Sequence, residues 1–234
     1  MAQTVFVTGA DKGLGFCLAG KFAREGYQVF GGHLGDGAAL RGLGSATSGR
    51  VVPVPQNVTD VASVRRSAEL VGAQTPGLDI LINCAGVCLD VHDHLAETNV
   101  SNGNLEMMMA VNAFGPLRVT QAFLPLIERG GHKVIANISS EAGSIGECWR
   151  DVGYGYCMSK AALNMQAQIL QRELKPRGVK VLLFHPGWMR TDMGGPTAHI
   201  TPETAADGIY ALTVKPWGLD DPKYMDYTGR VFAW

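Results

Sequence analysis

The stretch TVFVTGADKGLGFCLAGKF, residues 4–22, decides how the rest of the chain is read. It opens with a short β-branched run, TVFVT, of the kind that forms a strand. Leu14, Leu18 and Phe22 then recur at helical spacing. Between the two elements the chain must turn within TGADKGLG, residues 8–15. Gly9, Gly13 and Gly15 let the backbone turn sharply and come close to a ligand. A helix that starts directly after such a turn offers free N–H groups and a positive dipole end, which suit a pyrophosphate. The segment therefore predicts a dinucleotide site, with Asp11, Lys12 and Leu14 placed beside the three glycines.

Further along, the same alternation continues. QVF (residues 28–30) reads as a strand and runs into a glycine-rich loop. RVVPV (50–54) precedes TDVASVRRSAELVG (59–72), a helix opened by a capping Thr or Asp. LDILINCAG (78–86), KVIANIS (133–139) and VKVLLFHPG (179–187) are continuous apolar runs typical of strands buried on both faces. Residues 105–129 predict a long helix bent near Pro116. Leu163, Ala167, Leu170 and Leu174 give the segment from residue 156 to 178 a helical period. Strands alternating with helices pair in parallel through right-handed crossovers. The expected fold is α/β: one Rossmann-type doubly wound domain over residues 1–234, with a sheet of about seven parallel strands and helices on both faces.

Bulk properties narrow the function. The chain has 234 residues, 20 Lys and Arg against 21 Asp and Glu, and a formal net charge of -1. That balance predicts neither a nucleic-acid nor an anionic-membrane surface. No run approaches the roughly 18 apolar residues of a membrane span, and the first residues do not resemble a secretory signal, so a cytoplasmic location is expected. Glycine, 30 of 234, is in excess and sits at defined points, which implies tight turns. Cys17, Cys84, Cys88, Cys148 and Cys157 show neither zinc-type pairing nor a disulfide framework and read as reduced thiols. His92 and His94 in VHDH read as solvated, and no metal is expected.

YGYCMSK, residues 154–160, is a candidate for proton chemistry, with two tyrosines and a lysine in seven residues. A tyrosine phenol ionises at about pH 10 in water, so it needs a neighbouring cation to exchange protons near neutrality. Residues four apart share a helix face and residues six apart do not. Tyr156, not Tyr154, can therefore feel Lys160.

The glycine spacing at Gly9, Gly13 and Gly15 together with Tyr156-x-x-x-Lys160 resembles the short-chain dehydrogenase/reductase family. NCAG (83–86), Asn112 in AVNAFG, NISS (137–140) and HPGWMRT (185–191) match its further motifs in order, across essentially the whole chain. ISSEAGSI and HPGW are similar to its C-factor-like and carbonyl-reductase-like members. The resemblance implies an NAD(P)(H)-dependent oxidoreductase that moves a hydride between the nicotinamide and a carbonyl or secondary alcohol. Tyr156 is then the general acid/base and Lys160 its helper, also holding the nicotinamide ribose. Ser140 bonds the substrate oxygen. It is preferred to Ser139 because it matches the family's position and because successive strand residues face opposite ways. Asn112 holds a relay water. Asn57 and Val58 meet the adenine, Asn83, Ala85 and Gly86 line the cofactor, and Pro186, Gly187, Met189 and Thr191 meet the carboxamide end. Cys84 and Asn57 depart from the family's usual Asn and Asp, changes that spare the chemistry. The competing reading is a cofactor-binding regulator or scaffold without turnover.

An NAD enzyme usually carries a carboxylate at the end of the second strand, and here His33 stands there, followed by Leu34 rather than Arg. With that anion missing and Lys12 in the loop, NADP is the expected cofactor, with NAD as the alternative. Trp149, Trp188, Met189 and Met193 are candidates for a substrate pocket. Met107, Met108 and Met109 make the long helix apolar around much of its circumference, so a homodimer or homotetramer is expected, as is common in the family.

Overall fold

The computed structural model describes residues 2–90, 92–221 and 223–234. Seven strands, β1 (Thr4–Val7), β2 (Gln28–His33), β3 (Val51–Pro55), β4 (Ile80–Asn83), β5 (Val134–Ile138), β6 (Lys180–His185) and β7 (Tyr224–Asp226), form one parallel sheet. Their order is β3-β2-β1-β4-β5-β6-β7. The chain runs outward from β1 to β3, then returns to lay β4 on the other side of β1. That reversal opens a crevice above the carboxyl ends of β1 and β4, where doubly wound sheets bind ligands.

Strand side chains alternate between two cores. Val5 and Val7 face one layer with Leu14, Leu18 and Phe22 of α1 (Gly13–Arg24), Leu40 of α2 (Ala38–Ala46) and Ile209 of α7 (Pro202–Thr213). Phe6 faces the other, with Val64 and Val71 of α3 (Val61–Gly72), Val119 and Phe123 of α5 (Gly115–Ile127), and Leu170 and Leu174 of α6 (Tyr154–Leu174). Among the described residues no helix is long and apolar enough to cross a membrane.

Two elements differ from their sequence expectation. The glycine-rich segment after Phe30 is not a loop: β2 continues through Gly31, Gly32 and His33, and α2 follows. A Cβ on Gly31 would lie 2.9 Å from Leu40, and one on Gly32 2.9 Å from Gln56 Oε1, so these glycines serve close packing. The long helix expected over 105–129 is instead α4 (Asn104–Met108), a π-helical turn (Met109–Phe114) and α5. Pro116 has no N–H to give the carbonyl of Asn112, so the helix widens where the proline lay in register.

Candidate active site

The loops after β1 and β4 are locked together at the crevice. Thr8 Oγ1 accepts the N–H groups of Cys84 and Ala85, both at 2.9 Å. Gly9 has φ 61°, and a Cβ there would stand 2.9 Å from Ala85 Cα, so only glycine lets the two loops approach. Lys12, at the cap of α1, makes no side-chain capping bond, which leaves the first N–H groups of that helix free for an anion. Its ammonium instead reaches across the crevice to Asp192, at 2.9 Å. The Asp11 carboxylate faces Gly35, while Leu14 turns into the core.

At the end of β2, His33 is buried, with Nδ1 2.9 Å from the Gly35 carbonyl oxygen. Its ring packs beneath Gly37, where a Cβ would meet Nε2 at 2.7 Å. Asp36 turns toward the start of α2, accepting the Ala38 N–H at 2.8 Å. Arg41 places Nη1 2.7 Å from the Asp36 carbonyl oxygen, at the same corner. Sequence reasoning passed over Arg41 because it lies in what read as a loop. Asn57 closes a small turn, accepting from Thr59 N–H and Oγ1 at 3.0 and 2.8 Å. Val58 packs against Gly115, where a Cβ would meet it at 3.1 Å.

β4, β5 and α6 converge at the other end of the crevice. The two serines part there: Ser139 Oγ donates to Asn164 inside the fold at 2.6 Å, whereas Ser140 Oγ donates to Glu141 at 2.7 Å and accepts the Ala142 N–H at 3.2 Å. Tyr154 is 42% exposed. Tyr156 is half-buried, and Lys160 Nζ lies 5.7 Å from its ring centroid. Lys160 is buried and donates to the Ile138 carbonyl at 2.9 Å. Burial lowers its pKa to about 8. The Tyr156 phenol was expected to be lowered by Lys160, but burial pushes it up instead, and the Ser140 hydrogen bond opposes that only in part. Desolvating both partners disfavours both charged forms.

Asn112 sits in the π-helical turn, pairing with Val87 through both its amide atoms, at 2.8 and 2.9 Å, and donating to Ser159 at 3.0 Å. Asn83 turns away from the crevice and donates to Asn137 at 2.8 Å, tying β4 to β5. Gly86 faces Asn112 and Lys160. Gly187, with φ 81°, turns the chain after Pro186. Met189 packs on the core, and Thr191 reaches toward Gly13, where a Cβ would stand 3.6 Å from its methyl. Trp149, Trp188 and Met193 are exposed.

The first turn of α6 is held from a distance. Its cap position is Gly153, which has no side chain, and the buried Asp90 carboxylate accepts the N–H groups of Gly155 and Tyr156 at 2.5 and 3.2 Å. Asp90 is 65 residues upstream of Gly155, so no local capping pattern reveals it.

A phenol, a hydroxyl and a buried amine thus lie at the end of β5 and the start of α6, on the same crevice as the glycine turn. Comparison with known proteins bears on the family. The family model described as short chain dehydrogenase matches residues 3–200. A protein of Myxococcus xanthus named C-signal is 36% identical over 167 residues, covering 68% of this chain and 95% of its own length. The 1-hydroxy-2-glutathionyl-2-methyl-3-butene dehydrogenase of a Rhodococcus species is 34% identical over 212 residues, 88% of each. The crystal structure of NADPH-bound carbonyl reductase from chicken fatty liver superposes with a TM-score of 0.88 at 28% identity, over 100% of this chain and 99% of that one.

Proposed function

The chain belongs to the short-chain dehydrogenase family and is an oxidoreductase, and on that premise we propose that it interconverts small carbonyl compounds and secondary alcohols with NADP(H), with Tyr156 as the general acid and base. The observation that carries this reading is the convergence of Tyr156, Ser140 and a buried Lys160 beside the glycine turn. The residues fit a dinucleotide: α1 starts with uncapped N–H groups, and Lys160, whose one protein acceptor among the described residues is the Ile138 carbonyl, has donors left for ribose hydroxyls. When bound, the nicotinamide gives a hydride to the carbonyl carbon or takes one from the alcohol carbon.

The chain's own groups do the rest. Tyr156 O–H gives its proton to the carbonyl oxygen, or its phenolate takes one from the alcohol. Ser140 lies against Tyr156 and fixes the position of the reacting oxygen. A charged Lys160 favours the phenolate left behind, and Asn112 braces the loop at Val87 against the catalytic helix at Ser159. Arg41 supplies a cation at the corner beside Asp36, Lys12 supplies another on the glycine turn, and Asp36 is engaged with α2, which supports NADP(H) over NAD(H). Phe114, Leu117, Met158, Met165 and Ile169 leave apolar surface exposed on and beside α5 and α6, which supports self-association. The test is consumption of NADPH, and of NADH in parallel, with a panel of aldehydes and ketones. Cofactor binding with no turnover across the panel would favour a regulatory protein instead.

A further inference from the structure

Tyr224 carries a hydroxyl where the packing asks only for a ring. The side chain is 1% exposed. Phe232 and Trp234 lie against it, with ring centroids at 5.3 and 5.5 Å and tilts of 31° and 36°. A phenylalanine would fill the same space, and a buried hydroxyl costs stability unless it is bonded. The bond it makes crosses the sheet. From β7, with β6 between it and β5, Tyr224 Oη donates to the Ser140 carbonyl at 2.5 Å. Burial pushes the phenol up to about 12, so near neutrality it keeps that hydrogen.

Ser140 is where the main chain needs a hold. The pairing of β5 with β6 carries it as far as Ser139, whose N–H donates to the Phe184 carbonyl at 2.8 Å. Ser140 lies one residue beyond, in an extended conformation, and opens the short 3₁₀ turn Glu141–Gly143. Its carbonyl already accepts the Gly143 N–H at 3.0 Å, so the turn does not need Tyr224 to satisfy it. A carbonyl has two lone pairs, and the second bond fixes the direction of the peptide from which the Ser140 side chain leaves.

The chain beyond Tyr224 grips the loop that follows this turn. It folds back at Asp226, whose Oδ1 accepts the N–H groups of Thr228 and Arg230 at 2.8 and 3.1 Å, and Met225 pairs antiparallel with Val231. Ser144 Oγ then donates to the Ala233 carbonyl and the Gly146 N–H to the Trp234 carbonyl, both at 2.8 Å. Glu147 accepts the Ala233 N–H and pairs with Arg230, again both at 2.8 Å. One hairpin therefore holds the serine turn from its first carbonyl and the loop after it from the main chain.

We propose that Tyr224 is a positioning residue for Ser140: its hydroxyl, set by the stacked rings of Phe232 and Trp234, aims the serine main chain so that the Ser140 side chain meets the reacting oxygen. This rests on the oxidoreductase reading above, and its test separates the two. In Tyr224→Phe, kcat with NADPH and the fastest aldehyde of the panel should fall about tenfold with KM little changed, because alignment is lost and binding is not. The melting temperature should fall as well. Ser140→Ala keeps the carbonyl that Tyr224 bonds. In that background Tyr224→Phe should lower the melting temperature by the same amount yet cost no further kcat, since Tyr224 acts only through the serine side chain.

A second measurement needs no turnover. Ser140 and Glu141 form the one Ser-Glu pair in the chain. Carbonyl-labelled serine with amide-labelled glutamate therefore gives a single NMR cross-peak that reports the Ser140 carbonyl, and it should shift in Tyr224→Phe. Should that variant not fold, Phe232→Leu removes a stacked ring and keeps the hydroxyl; the same peak should shift, and kcat should fall only where Ser140 is present. An unmoved peak, a wild-type kcat in Tyr224→Phe, or an equal further loss of kcat in the Ser140→Ala background overturns the proposal. A wild type that turns over no member of the panel overturns the oxidoreductase reading, and the positioning role with it, even where the peak shifts.

Discussion

At the glycine-loop end of the crevice the charged groups face water, while at the Tyr156 end they do not. Lys12 and Asp192 meet at 2.9 Å with side chains 74% and 84% exposed, whereas Lys160 is 4% exposed and has a carbonyl for a partner. An exposed pair is screened and contributes little. A buried amine carries its desolvation cost in full, and its pKa moves accordingly. The difference teaches that, on the proposed function, the first end offers a ligand mainly backbone shape, through Gly9, Gly13 and the uncapped start of α1. The second offers side chains whose protonation the fold has shifted.

If that contrast is right, substitutions at the Tyr156 end should have the larger effects. Tyr156→Phe removes one hydroxyl and should lower kcat by about 10²- to 10⁴-fold, with NADPH affinity by fluorescence and the melting temperature nearly unchanged. A variant with wild-type kcat would break the contrast outright.

Lys160→Met should abolish useful turnover yet stabilise the cofactor-free protein. The folded-state value of about 8 lies below the unfolded 10.5, so folding strips a proton in that interval and the buried lysine destabilises the fold below about pH 8. The penalty fades as pH rises toward the unfolded value. Thermal unfolding should therefore show a gain of at most about 3 kcal/mol at neutral pH, shrinking in alkali. A destabilised variant at neutral pH would show that the ammonium is better solvated than its burial implies.

Asp90→Asn should cost about 1 kcal/mol in denaturant unfolding and lower kcat more than it raises KM, since it loosens the turn that carries Tyr156. Lys12→Ala and Arg41→Ala should each weaken NADPH by about 1 kcal/mol and leave NADH unaffected, with the difference shrinking as salt is added. Equal weakening of both cofactors would assign these cations to the pyrophosphate. Tyr154→Phe, at a position 42% exposed, should change neither stability nor rate beyond about 0.5 kcal/mol.

Local spacing made much of this legible. Strand, glycine turn and helix could be read from residues 4–22 because each signal lies within a few residues of the next, and the Tyr156–Lys160 pairing follows from the pitch of one helix. Where a residue's meaning depended on a distant neighbour, the reading failed. Gly31 and Gly32 looked like loop residues because Leu40 and Gln56, which need the space, lie on other elements. The 105–129 helix was recognised, but the π-helical turn that presents Asn112 was not.

By itself the sequence determined the alternating α/β order, the parallel sheet and the register of Tyr156 and Lys160 on α6, all consequences of periodicity and backbone sterics that act over one or two turns of chain. Tertiary structure alone decided which groups share a proton or a charge. It brought Asp90 to the start of α6, turned Asn83 away from the crevice toward Asn137, carried Lys12 to Asp192, and gathered Ser140, Arg150 and His185 around the Glu141 carboxylate. The physical reason is range. Backbone preference is set by near neighbours, while burial, hydrogen bonding and the pKa shifts they cause depend on atoms that become neighbours only when the sheet closes.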